Sequence, residues 1–201
     1  MKICIINFSG RENGNCSDIA DVIEQAKCDE HEVTRYDMYA LQMSPCGGCV
    51  YNCFENSANC PYIDDDLYKI YASICSSDIV YYIVPNYCDY PNAFFFIFNE
   101  RSQCFFQGKP DKLEQYANIN KKFIVLSNIE KENFRHAFKY HVNESGFVDA
   151  LFLSAGSFGM NSINGGLMKS NEARQIVEEH ISQNLQANKY DSMVYKEFYH
   201  D

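Results

Sequence analysis

The chain has 201 residues, 46% of them hydrophobic and 22% charged, which suits one compact domain with a fully buried core. Its formal net charge of -10, from 17 Lys plus Arg against 27 Asp plus Glu, opposes the phosphate backbones that nucleic-acid binders neutralise, so nucleic-acid and anionic-membrane partners drop out of the reading. No apolar run is longer than Ala93 to Phe98, far short of the roughly 20 residues a membrane span needs.

Ile3 to Ile6 gives way to Arg11 and Glu12 without the hydrophobic region of a secretory signal, and the expected location is the cytoplasm. There the ten cysteines stay reduced and serve as core fillers, metal ligands or redox groups.

Lys2-Ile3-Cys4-Ile5-Ile6 is a β-branched run closed by a Ser/Gly/Asn-rich turn, the pattern of a buried parallel strand. From Ser17 the residues Ile19, Ala20, Val22, Ile23 and Ala26 recur at helical spacing and stop near Cys28-Asp29-Glu30. A second strand is predicted over Glu32 to Tyr36. Asp37 to Ile63 holds turn residues and a cysteine cluster without a sustained period, a long loop. Asp64-Asp65-Asp66 caps a helix that runs through Leu67, Ile70, Tyr71 and Ile74 to about Ser77. A third strand covers Ile79 to Val84, stopped by Pro85, and helical spacing resumes from about Asn92 to Phe105. Strands at Lys122 to Ser127 and Val148 to Leu153 follow, with a helix near Glu132 to Tyr140 between them and a last helix from Ser170 to Ala187.

Strands joined by helical crossovers cannot pair as hairpins. The expected fold is therefore α/β: a three-layer sandwich around a five-stranded parallel sheet of order 2-1-3-4-5, with residues 1–201 as one domain. Ligands of such sheets sit beyond the carboxyl ends of the strands at the switch point, here between the first and third strands. Two loops matter, Asn7 to Cys16 and Pro85 to Asn92.

The first loop reads N-F-S-G-R-E-N-G-N-C-S from Asn7 to Ser17 and runs straight into a helix N-terminus. Ser9, Asn13, Asn15, Cys16 and Ser17 add short donors and Arg11 a charge, so a phosphate fits. The same composition also makes an ordinary polar turn with Ser17 as helix cap. G-x-G-x-x-G and G-K-[ST] are both missing, which disfavours nucleoside triphosphates.

These residues resemble the flavodoxin-like, FMN-containing NAD(P)H-dependent oxidoreductases, a family that includes the iron–sulfur flavoproteins. The family's first loop commonly reads N-G-S-P-R-x-x-G-N-T-S, matched here by Asn7, Ser9, Arg11, Gly14, Asn15 and Ser17; Phe8, Gly10 and Cys16 stand in place of its Gly, Pro and Thr. Phe8 thus brings a large side chain to a loop whose backbone must approach the phosphate. Pro45-Cys46-Gly47-Gly48-Cys49, Cys53, Cys60 and Asp65-Asp66-Leu67 look like the family's P-C-x-G-C-x-x-C loop and its C-x-x-x-D-D-M continuation. The pattern runs on through Asp78, Pro85, Tyr87 and Ala93 to Arg101, so the resemblance covers about the first half of the chain. Pro85-Asn86-Tyr87-Cys88-Asp89-Tyr90 occupies the loop that wraps the flavin ring in relatives, with Val84 and Asp89 replacing a serine and a glycine.

The resemblance implies FMN as cofactor, held by Ser9, Arg11, Asn13, Asn15, Cys16, Ser17, Pro85, Asn86, Tyr87 and Cys88. It implies NAD(P)H as reductant and a quinone, free flavin, aromatic compound or iron–sulfur partner as electron acceptor. The other reading is a flavodoxin-like binding or electron-carrier protein with no turnover of its own. In the family the helix near Asn92 helps build a dimer interface over the flavin, so a homodimer or homotetramer is expected. The Phe94-Phe95-Phe96-Ile97-Phe98 run covers every side of that helix and fits either such an interface or packing against neighbouring loops.

Cys46, Cys49, Cys53 and Cys60 lie within fifteen residues. They can converge on one tetrahedral metal or on a [4Fe–4S] cluster, and they can equally stay plain thiols or pair as a reversible disulfide. If a cluster is present, these four cysteines and no other are its expected ligands. His31, His136, His141, His180 and His200 are scattered and assemble no catalytic set, which suits hydride transfer carried by a cofactor.

Overall fold

The computed structural model describes residues 1–47, 49–128, 137–138, 141 and 149–183. Five strands lie parallel: β1 (Lys2–Asn7), β2 (Glu32–Asp37), β3 (Ile79–Tyr87), β5 (Asn120–Ser127) and β6 (Asp149–Ser154). Their order is β2-β1-β3-β5-β6. That is the expected 2-1-3-4-5 topology once β4 (Tyr90–Pro91), a two-residue strand folded back antiparallel on β3, is set aside.

Alternation along the strands sorts the core into two layers. Ile3, Ile5, Tyr81, Ile83, Ile124 and Leu153 face α1 (Asn15–Lys27) and α5 (Asn171–Ser182). Cys4, Ile6, Val80, Tyr82, Phe123 and Val125 face α2 (Asp66–Cys75), α3 (Ala93–Phe106) and α4 (Pro110–Asn118). The second layer is mostly aromatic, with Tyr71 stacked on Phe98 at 4.5 Å and Tyr82 on Phe123 at 4.9 Å.

Several boundaries differ from the sequence reading, each for a local reason. Ser17 is not the cap of α1, which starts two residues earlier behind Gly14. β3 does not stop at Val84 but continues through Pro85 to Tyr87. Pro85 points the same way as Ile83, whose carbonyl bonds Phe8 N–H beyond the end of β1, so the missing proline N–H faces a side where no strand remains. The 37–63 loop holds three short 3-10 turns, Met38–Ala40, Asn52–Phe54 and Ser57–Asn59. α4 was not anticipated. It opens on Pro110 at its first turn, a favoured place for proline, and of its nine residues only Tyr116 is buried. Of the helix expected near Glu132 to Tyr140 only residues 137 and 138 are described, and the end of the last helix at 184–187 lies outside the described residues. No helix among the described residues is long and apolar enough to cross a membrane.

Candidate functional site

At the carboxyl end of β1, Asn7 is fully buried and its amide organises the turn. Nδ2 donates to Asp37 Oδ1 at 2.8 Å and to Ser17 Oγ at 3.2 Å, while Oδ1 accepts from Ser9 N–H at 3.0 Å. Phe8 continues the alternation of Cys4 and Ile6 into the α2/α3 layer, where Tyr82, Phe95 and Phe98 surround its ring. Its bulk therefore lies inside the core and leaves the outer surface of the loop free.

α1 opens at Gly14 with no side-chain cap. The N–H groups of its first turn are then free to face an anion, at the positive end of the helix dipole. Arg11 lies over this end: a Cβ on Gly14 would sit 3.5 Å from its guanidinium, and Arg11 Nη1 donates to Ile163 O at 3.0 Å. Ser17 Oγ accepts from Asn7 and keeps its own proton to donate. Uncapped amides, a guanidinium and a hydroxyl proton form a donor set that fits a phosphate monoester.

The other expected contacts are distributed differently. Ser9 Oγ accepts from Arg11 N–H at 3.1 Å and donates to Arg11 O at 3.2 Å, so it closes the turn. Asn15 is buried and binds a second loop, donating to Ser162 O at 3.0 Å and accepting from Leu167 N–H at 2.8 Å. Cys16 sits in the α1/α5 layer, where burial pushes its thiol up to about 12; its usable donor is the backbone N–H. Asn13 is exposed.

The third-strand loop lies beside the first, because Asn92 Nδ2 donates to Phe8 O while Asn92 Oδ1 accepts from Phe95 N–H at 3.3 Å and caps α3. Asn86 donates to Ser127 Oγ at 3.2 Å and accepts from Asp89 N–H at 2.9 Å. Cys88 and Asp89 both have positive φ, 52° and 71°, as the centre of a two-residue hairpin turn requires. Neither is glycine, so the turn holds backbone strain beside the site. Tyr87 and Tyr90 flank it, each more than half exposed. Val84 is buried in the core, and of the Phe94 to Phe98 run only Phe96 stays largely exposed.

Sequence reasoning missed the 161–167 segment, which closes over the start of α1 through Arg11 and Asn15. Asn128, at the end of β5, anchors it by accepting Ser162 N–H at 2.7 Å. The available signal was topological, since this Asn- and Gly-rich stretch follows a strand on the same sheet edge.

The cysteine loop does not assemble as expected. Cys53, Cys60 and Cys104 are buried together, with Cys46 and Tyr62 packed against them. Cys49 is part-exposed and outside this cluster. Cys104 comes from α3, and its thiol lies 3.7 Å from Cys53 Sγ. Among the described residues no three His, Cys, Asp or Glu side chains are arranged to hold a metal ion. Cys46, Cys49, Cys53 and Cys60 thus do not fit as the ligand set of a [4Fe–4S] cluster, and the thiols meet in a different combination.

No protein-family model and no curated protein sequence matches the chain. Solved structures do. RosB with bound 8-demethyl-8-formylriboflavin-5'-phosphate superposes with a TM-score of 0.64 at 12% identity, over 90% of this chain and 74% of that one. The FMN-dependent NADH-azoreductase of Bacillus anthracis in complex with FMN gives 0.59 at 11%, over 90% and 98%. The Trp repressor binding protein of Bacillus subtilis gives 0.58 at 16%, over 91% and 100%. The chain has the flavodoxin-like α/β fold.

Proposed function

We propose that the chain is an FMN-dependent oxidoreductase that takes hydride from NAD(P)H and passes electrons to a quinone, a free flavin or an aromatic compound. The observation that carries this is the uncapped start of α1 under Arg11, set beside the strained Cys88-Asp89 turn at the switch point of the sheet. The first offers a phosphate its donors; the second offers a flat ring the exposed faces of Tyr87 and Tyr90. Support also comes from two neighbours of the same fold whose structures hold a riboflavin-5'-phosphate derivative and FMN.

Bound FMN would supply the hydride-accepting chemistry. The chain's own part is to bind and orient. Arg11, the α1 amides and the Ser17 hydroxyl hold the phosphate; Pro85, Asn86 and the Cys88 backbone shape the ring pocket. Tyr87 and Tyr90 shield it from water, together with a second copy of the chain in a homodimer or homotetramer that covers Phe96. No iron–sulfur step is included, because the thiols do not assemble for one.

Titration with FMN followed by stopped-flow mixing with NADH or NADPH tests the reading. Saturable uptake and bleaching of the flavin absorbance are expected. Failure to take up FMN removes it, whereas uptake without bleaching by either nucleotide leaves the electron-carrier alternative, which the αL carboxylate of Asp89 beside the ring position would favour.

A further inference from the structure

Cys53 lies in the 3-10 turn Asn52–Phe54 and Cys104 near the end of α3. The fold brings these two buried thiols, 51 positions apart, to an Sγ to Sγ distance of 3.7 Å. Disulfide formation needs the sulfurs to close from 3.7 Å to about 2.05 Å. The backbone on both sides is already docked. Arg101, one turn before Cys104, donates to Ser44 O at 2.8 Å and Tyr62 O at 3.0 Å and pairs with Asp65. Tyr68 donates to Cys104 O at 3.1 Å.

We propose that Cys53 and Cys104 form a reversible disulfide that locks the cysteine loop onto α3, with Cys46 as the entry thiol. Cys46 is part-exposed and is the thiol packed against the buried group of Cys53, Cys60 and Cys104. The oxidant is a small disulfide such as glutathione disulfide. The Cys46 thiolate attacks it and releases one small thiol, leaving a mixed disulfide. Cys104 then attacks Cys46 Sγ and expels the second small thiol. Cys53 finally attacks Cys104 Sγ and returns Cys46 to its thiol. In sum, two protein thiols give up two electrons and two protons, and one small disulfide becomes two thiols.

Burial raises the Cys46 thiol and, together with neighbouring thiols, holds Cys104 well above the usual thiol range, so the reaction is slow at neutral pH and accelerates as pH rises. Cys104 lies eleven residues beyond Ala93, roughly 16 Å along the helix axis from the end beside the candidate cofactor site. The lock therefore acts on the order of the loop, and it neither requires nor alters FMN binding.

The full chain, reduced, held anaerobically with glutathione disulfide at mildly alkaline pH, alkylated and peptide-mapped, tests this. The expected product is a Cys53–Cys104 cross-linked peptide in the wild-type protein, retained in Cys49→Ser and lost in Cys104→Ser. Proteolysis of the 46–63 loop should slow several-fold on oxidation. A dominant link inside the loop, such as Cys46 to Cys49, overturns the proposal; so does the absence of any intramolecular link, or tightly bound iron and sulfide that depend on Cys49. The wild-type map decides even if a variant folds poorly, and FMN uptake measured on the same samples reports separately on the function proposed above.

Discussion

Asn7 and Arg11 divide the work of the first loop. Asn7 holds the backbone shape through Ser9, Ser17 and Asp37, while the exposed Arg11 guanidinium, which donates to the Ile163 carbonyl, has further N–H groups to offer an anion. Charge-assisted hydrogen bonds contribute about 1.5–3 kcal/mol against roughly 0.5–1.5 for neutral ones. Arg11→Ala should accordingly weaken FMN binding by roughly 10- to 100-fold and Ser17→Ala by only a few-fold, as read by quenching of flavin fluorescence; equal affinity in Arg11→Ala would remove that residue from the site. A different residue sets the acid limit. His141 is buried among Phe95, Phe98 and Tyr82, its Nδ1 shares a hydrogen bond with the Tyr116 hydroxyl, and burial pushes its imidazole down to about 3. The unfolded chain takes up this proton near pH 6.5, so between about 6.5 and 3 only the unfolded state binds it and stability falls as pH falls. The slope is about 1.4 kcal/mol per pH unit for this one proton. His180, brought down to about 4 by burial despite Asp149, adds to the upper part of that window. His141→Phe, which keeps a ring in the cluster, should make thermal stability less steeply dependent on pH below 6.5, measured by circular dichroism.

Asp65 joins three elements. Oδ1 accepts Leu67 N–H at 3.1 Å as the N-cap of α2, and Oδ2 takes both Ser44 N–H at 3.3 Å and the buried Arg101 guanidinium of α3. Removing one member of a buried pair leaves the other uncompensated, at a cost of about 3–5 kcal/mol, and a lost cap adds about 1. Asp65→Ala should lower the midpoint of urea unfolding strongly, whereas the Asp65→Asn, Arg101→Met pair should recover much of the loss by keeping a capping oxygen and removing the stranded charge. A single-variant effect under 1 kcal/mol would show that the pair is not buried in solution. The α2 cap was legible because Asp64-Asp65-Asp66 precedes a clean apolar stripe. Phe8 was readable in principle too, since it extends the alternation of Cys4 and Ile6, but the polar residues after it look like a turn already begun. α4 gave little signal, with Leu113 half-exposed and Tyr116 its one buried side chain. Pairings such as Asn15 with Ser162 or Cys53 with Cys104 have no local trace, because the topology alone makes those residues neighbours.

At the scale of the whole molecule the sheet order was the most legible feature, as strand segments separated by helical periods admit few arrangements, and the candidate site follows from where the order reverses. Net charge then acts on that site from a distance. The chain carries -10, and both nicotinamide nucleotides are anions, so their encounter with the protein is opposed by a long-range field that salt screens, with a Debye length of about 30 Å at 0.01 M and 10 Å at 0.1 M. On the FMN reading, the second-order rate of flavin reduction should therefore rise with ionic strength between these limits. It should rise more for NADPH than for NADH, because the extra phosphate monoester adds negative charge to be repelled. Stopped-flow reduction across a salt series measures both slopes on one preparation of flavin-loaded protein. A rate that falls with salt for NADPH alone would mean that a local cationic patch captures the extra phosphate and outweighs the global charge, and it would mark the chain as an NADPH enzyme.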